Sequence, residues 1–128
     1  MKLKCIGKNN VEREFDLEYS TSFQNFLEFW VSHEDLLPVK FVLVLQPLSA
    51  ECYRVMMIDA HDAYGGCGIP DALLPFVANS LSAEIRSSQT MAPDGKTWRK
   101  PEATKMWKRL VNLGLAEYLE EEDFFRVI

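Results

Sequence analysis

Several things are scarce in this chain, and each scarcity narrows what it can be. It has two histidines, His33 and His61, and three widely spaced cysteines, Cys5, Cys52 and Cys67. None of these stands at the short spacing that holds zinc. An odd count of distant cysteines, with no apolar leader after Met1, reads as free thiols in a cytoplasmic protein. No apolar run approaches the roughly 20 residues that span a bilayer, so no membrane partner is expected. The longest run, FVLVL, has the length of a strand. Basic residues are outnumbered, 14 Lys and Arg against 19 Asp and Glu, giving a formal charge of −5. Non-specific nucleic-acid binding needs a basic face, so nucleic acid is not the expected partner either. There is no internal repeat and no low-complexity segment.

What is present is ample core material. Of 128 residues 48% are apolar, with eight Phe, four Tyr and three Trp, enough for a single domain over 1–128. KLKCI and EREFDLEY read as two strands joined through GKNN. In STSFQNFLEFWVSH, Phe23, Phe26, Leu27, Trp30 and Val31 fall at i, i+3, i+4, i+7 and i+8, which predicts a helix over 20–33. VKFVLVLQPL and CYRVMMIDA are β-branched and nearly continuous in apolar residues. They read as central strands covered on both faces. A helix follows over 70–81, with Pro70 in its first turn and Pro75 one turn further in. SAEIRSS is a short strand. PEATKMWKRLVN is a helix with its apolar stripe on Ala103, Met106, Trp107, Leu110 and Val111, ended by Gly114. LAEYL and FFRVI close the chain as a hairpin. This order predicts an α+β fold: a mixed, mostly antiparallel, twisted sheet of six or seven strands flanked by three helices, with at least one parallel crossover pair.

Between the strand ending in IDA and the helix at 70 lies YGGCGIP. Glycines at 65, 66 and 68 suit two purposes. They permit a tight strand-to-helix turn, and they let backbone N–H groups approach an anion at a helix N-terminus. A glycine cluster by itself does not decide between them.

Over 52–128 the chain resembles the C-terminal part of the GNAT acyltransferases. In that superfamily a strand leads into a turn of the form R/Q-x-x-G-x-G/A and a helix. A second strand, a helix of the form A-x-x-x-Y, a glycine and a closing hairpin follow. Here IDAHDAYGGCGIPDALL is similar to the first motif, and ATKMW, LVNLGLAEY and FFRVI are similar to the rest. The resemblance implies that Gly65, Gly66, Cys67, Gly68 and Ile69 bind the pyrophosphate of acetyl-CoA or another acyl-CoA. It also implies that the two strands splay apart around the cofactor. The family's basic or amide residue is replaced by Gly65, its last small residue by Pro70, which has no N–H, and its tyrosine by Trp107, whose indole is not a proton donor at ordinary pH.

Functional groups of such sheets gather at strand ends. His61 stands there as a candidate general base, with Asp59 or Asp62 to orient it, against a plain solvated loop histidine. Ser87 and Ser88 end the next strand, as holders of an acceptor or as ordinary strand-end hydroxyls. Cys67 lies near a helix N-terminus, where a thiol is activated or merely fits. Lys96, Arg99, Lys100, Lys105, Lys108 and Arg109 form a basic segment around Trp98, read as a phosphate contact or a solvated helix face.

The expected function is therefore a small acyltransferase that uses acyl-CoA to acylate an amine on a small molecule or a protein. The alternative is a GNAT-like chain without catalysis that binds another protein as an accessory or inhibitor. Short, acidic, aromatic-rich accessory proteins of phages and mobile elements offer the analogy.

Overall fold

The structure, a computed structural model, describes residues 1–22, 24–59, 62–89 and 99–128. Among these residues eight strands form one sheet. They are β1 (Lys2–Ile6), β2 (Glu12–Thr21), β3 (Leu27–Ser32), β4 (Phe41–Ser49), β5 (Cys52–Asp59), β6 (Glu84–Arg86), β7 (Ala116–Leu119) and β8 (Phe124–Val127). Their spatial order is β1-β2-β3-β4-β5-β6-β8-β7. Helix α1 (Ile69–Leu81) connects β5 to β6, and α2 (Pro101–Asn112) lies between β6 and β7. Only β5 and β6 pair in parallel, as their connection through a helix requires; every other pairing is antiparallel. The α+β class with a large mixed sheet is as the element order implies.

The expected helix over 20–33 is the main correction. Ser20 and Thr21 end β2 and residues 27–32 form β3, which pairs with β2 and β4, while Phe23 lies outside the described residues. Ser22 N donates to Phe26 O at 2.8 Å, Phe26 N donates to Ser22 Oγ at 3.2 Å, and Asn25 takes φ 63. The apolar residues satisfy a period of two as well as one of 3.6. Phe29 and Val31 point into the core, while Glu28 and Trp30 point away. Two flanking strands offer this segment a full set of backbone partners and decide the ambiguity. Among the described residues the result is eight strands and two α-helices, in place of six or seven and three.

A second correction concerns the central strands, which are covered on one face only. Phe41, Leu43, Leu45 and Val55 are buried, but Val42 and Val44 are half-buried and Met57 is exposed. Both helices contribute to the same core on the inner face. Ile69, Leu73, Leu74 and Val77 of α1 and Trp107 and Leu110 of α2 join Leu3, Phe15, Leu17 and Val31 of the sheet. Helix α1 touches β1 at one side and β6 and β8 at the other, so the sheet wraps around it. Full burial of each such side chain stabilises the fold by about 1.5–3 kcal/mol. Trp107 stacks on Phe125 with centroids 5.9 Å apart, which fastens α2 to the closing hairpin.

Candidate functional site

The parallel pair holds together for only three rungs, Cys52 with Glu84, Tyr53 with Ile85 and Arg54 with Arg86. Strand β5 continues to Asp59, whereas β6 turns away. From Val55 onward, β5 keeps β4 on one side and presents its other edge to a cleft. Ser88 Oγ bridges the start of the opening and donates to Val55 O at 2.8 Å. Just beyond, Val44 faces Met57 while Leu45 faces Val55, so Met56 is the extra residue of a β-bulge. A bulge re-aims backbone groups and side chains at the place where a strand borders a site.

The cleft opens into a cavity of about 880 Å³. Met56, Met57, Ile58 and Met106 supply apolar lining, and Gly65, Gly66 and Gly68 lie at its border. Lys8 and Lys100 also line it, neither with an ion-pair partner among the described residues. Arg109 is bound to Asp71 in the first turn of α1 at 2.7 Å, so that turn already holds one carboxylate.

The glycine turn is shaped by the turn between β1 and β2. Gly66 has φ 71, and Gly68, the residue before α1, has φ 76. Lys8 N donates to Gly66 O at 2.9 Å. A Cβ on Gly68 would lie 2.1 Å from Ile6 O, and one on Gly7 would lie 2.3 Å from Gly66 O. Two stretches of backbone thus touch directly, and side chains are excluded between them. The turn is a tight strand-to-helix connection packed against the β1–β2 turn. The N–H groups of Gly66, Gly68 and Ile69 donate to no group among the described residues. Cys67 is buried, with its thiol 3.5 Å from Arg13 Nη1 and 3.8 Å from Gly65 O; Ile69 is a core residue. Cys5 lies in the same buried region, where desolvation pushes its thiol up to about 12, aided by the nearby Cys67 and Asp71.

Of the other candidates, Asp59 is exposed at the end of β5 and lines the cavity. His61 lies outside the described residues, as do Lys96 and Trp98. Ser87 is buried and its hydroxyl is engaged on every side. It donates to Ser88 O at 2.9 Å, accepts from Phe125 N at 2.9 Å and lies 3.5 Å from Arg99 Nη1. The rest of the basic segment does not form one patch. Lys105 and Lys108 are exposed, while the Arg99 side chain is only 6% exposed.

Arg99 is the residue whose role the sequence pattern missed. Its guanidinium contacts Ser88 O at 3.1 Å, Asp123 Oδ1 at 3.2 Å and Thr104 Oγ1 at 2.8 Å, and lies 4.9 Å from the Phe125 ring centroid. It ties the end of β6, the β7–β8 turn and the start of α2 into one wall of the cleft. Tyr64 also borders the cavity, but its hydroxyl donates to Val39 O at 2.5 Å. No group of three or more metal-ligating side chains occurs among the described residues, and no helix among them is long and apolar enough to cross a membrane. No protein-family model, curated protein or solved structure matches the chain.

Proposed function

We propose that this chain binds an acyl-CoA in the cleft between β5 and β6 and transfers the acyl group to an amine. One observation carries the reading: the open edge of β5 leads to a glycine turn in which the N–H groups of Gly66, Gly68 and Ile69 have no acceptor among the described residues, with the Lys8 side chain against Gly66. In this reading the phosphates sit on the N–H groups of Gly66, Gly68 and Ile69. Pro70 adds no donor, and Lys8 supplies charge that Gly65 does not. The amide-bearing arm pairs with the free edge of β5, as an added strand does.

The thioester carbonyl then lies against the bulge at Met56, where a backbone N–H steadies the developing oxyanion. The amine nitrogen attacks the carbonyl carbon, a C–N bond forms, and the C–S bond breaks to release CoA thiolate. Asp59, with His61, takes the proton that the amine loses. The thiolate is reprotonated from solvent, because Trp107 is only 1% exposed and carries no suitable acid.

A thiol-release assay tests the reaction. The chain is incubated with acetyl-CoA and a panel of primary amines, and free CoA is followed with a thiol reagent. Amine-dependent release that falls at least tenfold in Asp59→Asn is expected. Trp107 favours a second reading, because it fills the place of a phenol with a stacked indole. In that case the chain is a non-catalytic accessory that binds another protein. Acyl-CoA binding without amine-dependent thiol release would support it against the first.

A further inference from the structure

We infer that Ser88 sets the length of acyl group that the cleft accepts and restricts it to short chains. The inference rests on the acyl-CoA reading above and concerns the closed end of the same cleft. The strands part after Arg54 and Arg86, and the next link between them is a side chain, not a backbone rung. Ser88 is 7% exposed, lines the cavity and donates to Val55 O. Its own carbonyl accepts from Arg99 Nη1 at 3.1 Å and from Ser87 Oγ at 2.9 Å. Arg99 is held in turn by Asp123 and Thr104. The end of the cleft is therefore polar, fully hydrogen-bonded and braced from behind.

Its walls differ. Met56, Ile58 and Met106 are apolar and suit an extended arm. From Asp59 back to Met56 the open edge of β5 spans ~10 Å, at about 3.3 Å per residue. An arm that enters at the glycine turn and pairs along this edge brings its thioester to Met56 and its acyl group to Ser88. An acetyl group ends there. A longer chain must displace the Ser88 hydroxyl and leave the Val55 carbonyl without its donor, a cost that an apolar tail cannot offset with a hydrogen bond.

The test is a ratio of affinities for acetyl-CoA and hexanoyl-CoA, measured by calorimetry on the wild type, Ser88→Gly and Ser88→Thr. The wild type is expected to favour acetyl-CoA by roughly tenfold or more, the scale on which pockets discriminate added methylenes. Ser88→Gly opens the end and should remove most of that preference. Ser88→Thr keeps the hydroxyl, adds a methyl group and should enlarge it. Each ratio is internal to one variant, so a change in stability does not move it, and thermal melting verifies that each variant is folded at the assay temperature. Equal wild-type affinities, or a preference unchanged in both variants, overturn the role of Ser88 and leave the acyl-CoA reading in place. If the wild type binds neither ester, both fall.

Discussion

Replacing Gly68 by alanine tests why the glycine turn has its composition. The added Cβ would lie 2.1 Å from Ile6 O and 2.7 Å from Ile6 C, both backbone atoms that cannot rotate away. Three costs follow. Alanine at φ 76 is strained by about 1–2 kcal/mol. Relieving the overlap shifts packed backbone at about 1–3 kcal/mol. The displaced β1–β2 turn weakens the bond from Lys8 N to Gly66 O, at about 0.5–1.5 kcal/mol. The sum is roughly 2.5–6.5 kcal/mol, a large part of the 5–15 kcal/mol typical of a domain. Thermal melting should show a fall of roughly 10–20 °C. Gly114→Ala is the control, because Gly114 has φ 77 but open space where a Cβ would go. It should lose only the strain, about 1–2 kcal/mol. Equal losses in the two variants would refute the claim that direct backbone contact selects glycine at 68.

Two further perturbations probe the site's surroundings. Arg99→Ala removes the buried guanidinium that Ser88 O and the half-buried Asp123 share, and urea unfolding should show a loss of about 2–4 kcal/mol; a loss below about 1 kcal/mol would contradict the bracing role. The buried Cys5 thiol, held neutral by desolvation, should resist alkylation in the folded protein, and its contribution to stability is complete below its ordinary value of 9.0 and lost as pH rises toward about 12. Melting of the wild type and Cys5→Ala at pH 7 and pH 10.5 checks the sign: the wild type's advantage should shrink at the higher pH, and an advantage that grows would contradict it.

The sequence announces some of this architecture and conceals the rest for identifiable reasons. Helix α2 is legible because Ala103, Met106, Trp107 and Leu110 recur only at helical spacing, and Pro101 marks its start. The closing hairpin and the parallel crossover are equally legible, since turn residues and alternation bound each short strand. Strand β3 is not. Leu27 and Val31 fit either period, and its strand character depends on β2 and β4, which are distant in sequence. The bulge at Met56 follows from a register that no local pattern encodes.

The same division holds at the site. The glycine turn stands out in the sequence, but its contact with Gly7 and Ile6 depends on where β1 comes to rest. Arg99 reads as one more cation in a basic run. Its burial follows from Asp123 and Phe125, which the final hairpin brings beneath it. Ser87 reads as a free strand-end hydroxyl, until β8 supplies the Phe125 N–H that it accepts.

The most direct measurement of the central claim is an amide NMR titration with acetyl-CoA. If the turn holds the cofactor's phosphates, the N–H resonances of Gly66, Gly68 and Ile69 shift together and saturate, with Met56 and Met57 on the open edge of β5 following the same curve. Glu51, in the β4–β5 turn at the other end of β5, stays in place. Unmoved resonances at Gly66, Gly68 and Ile69 with millimolar acetyl-CoA would contradict the account.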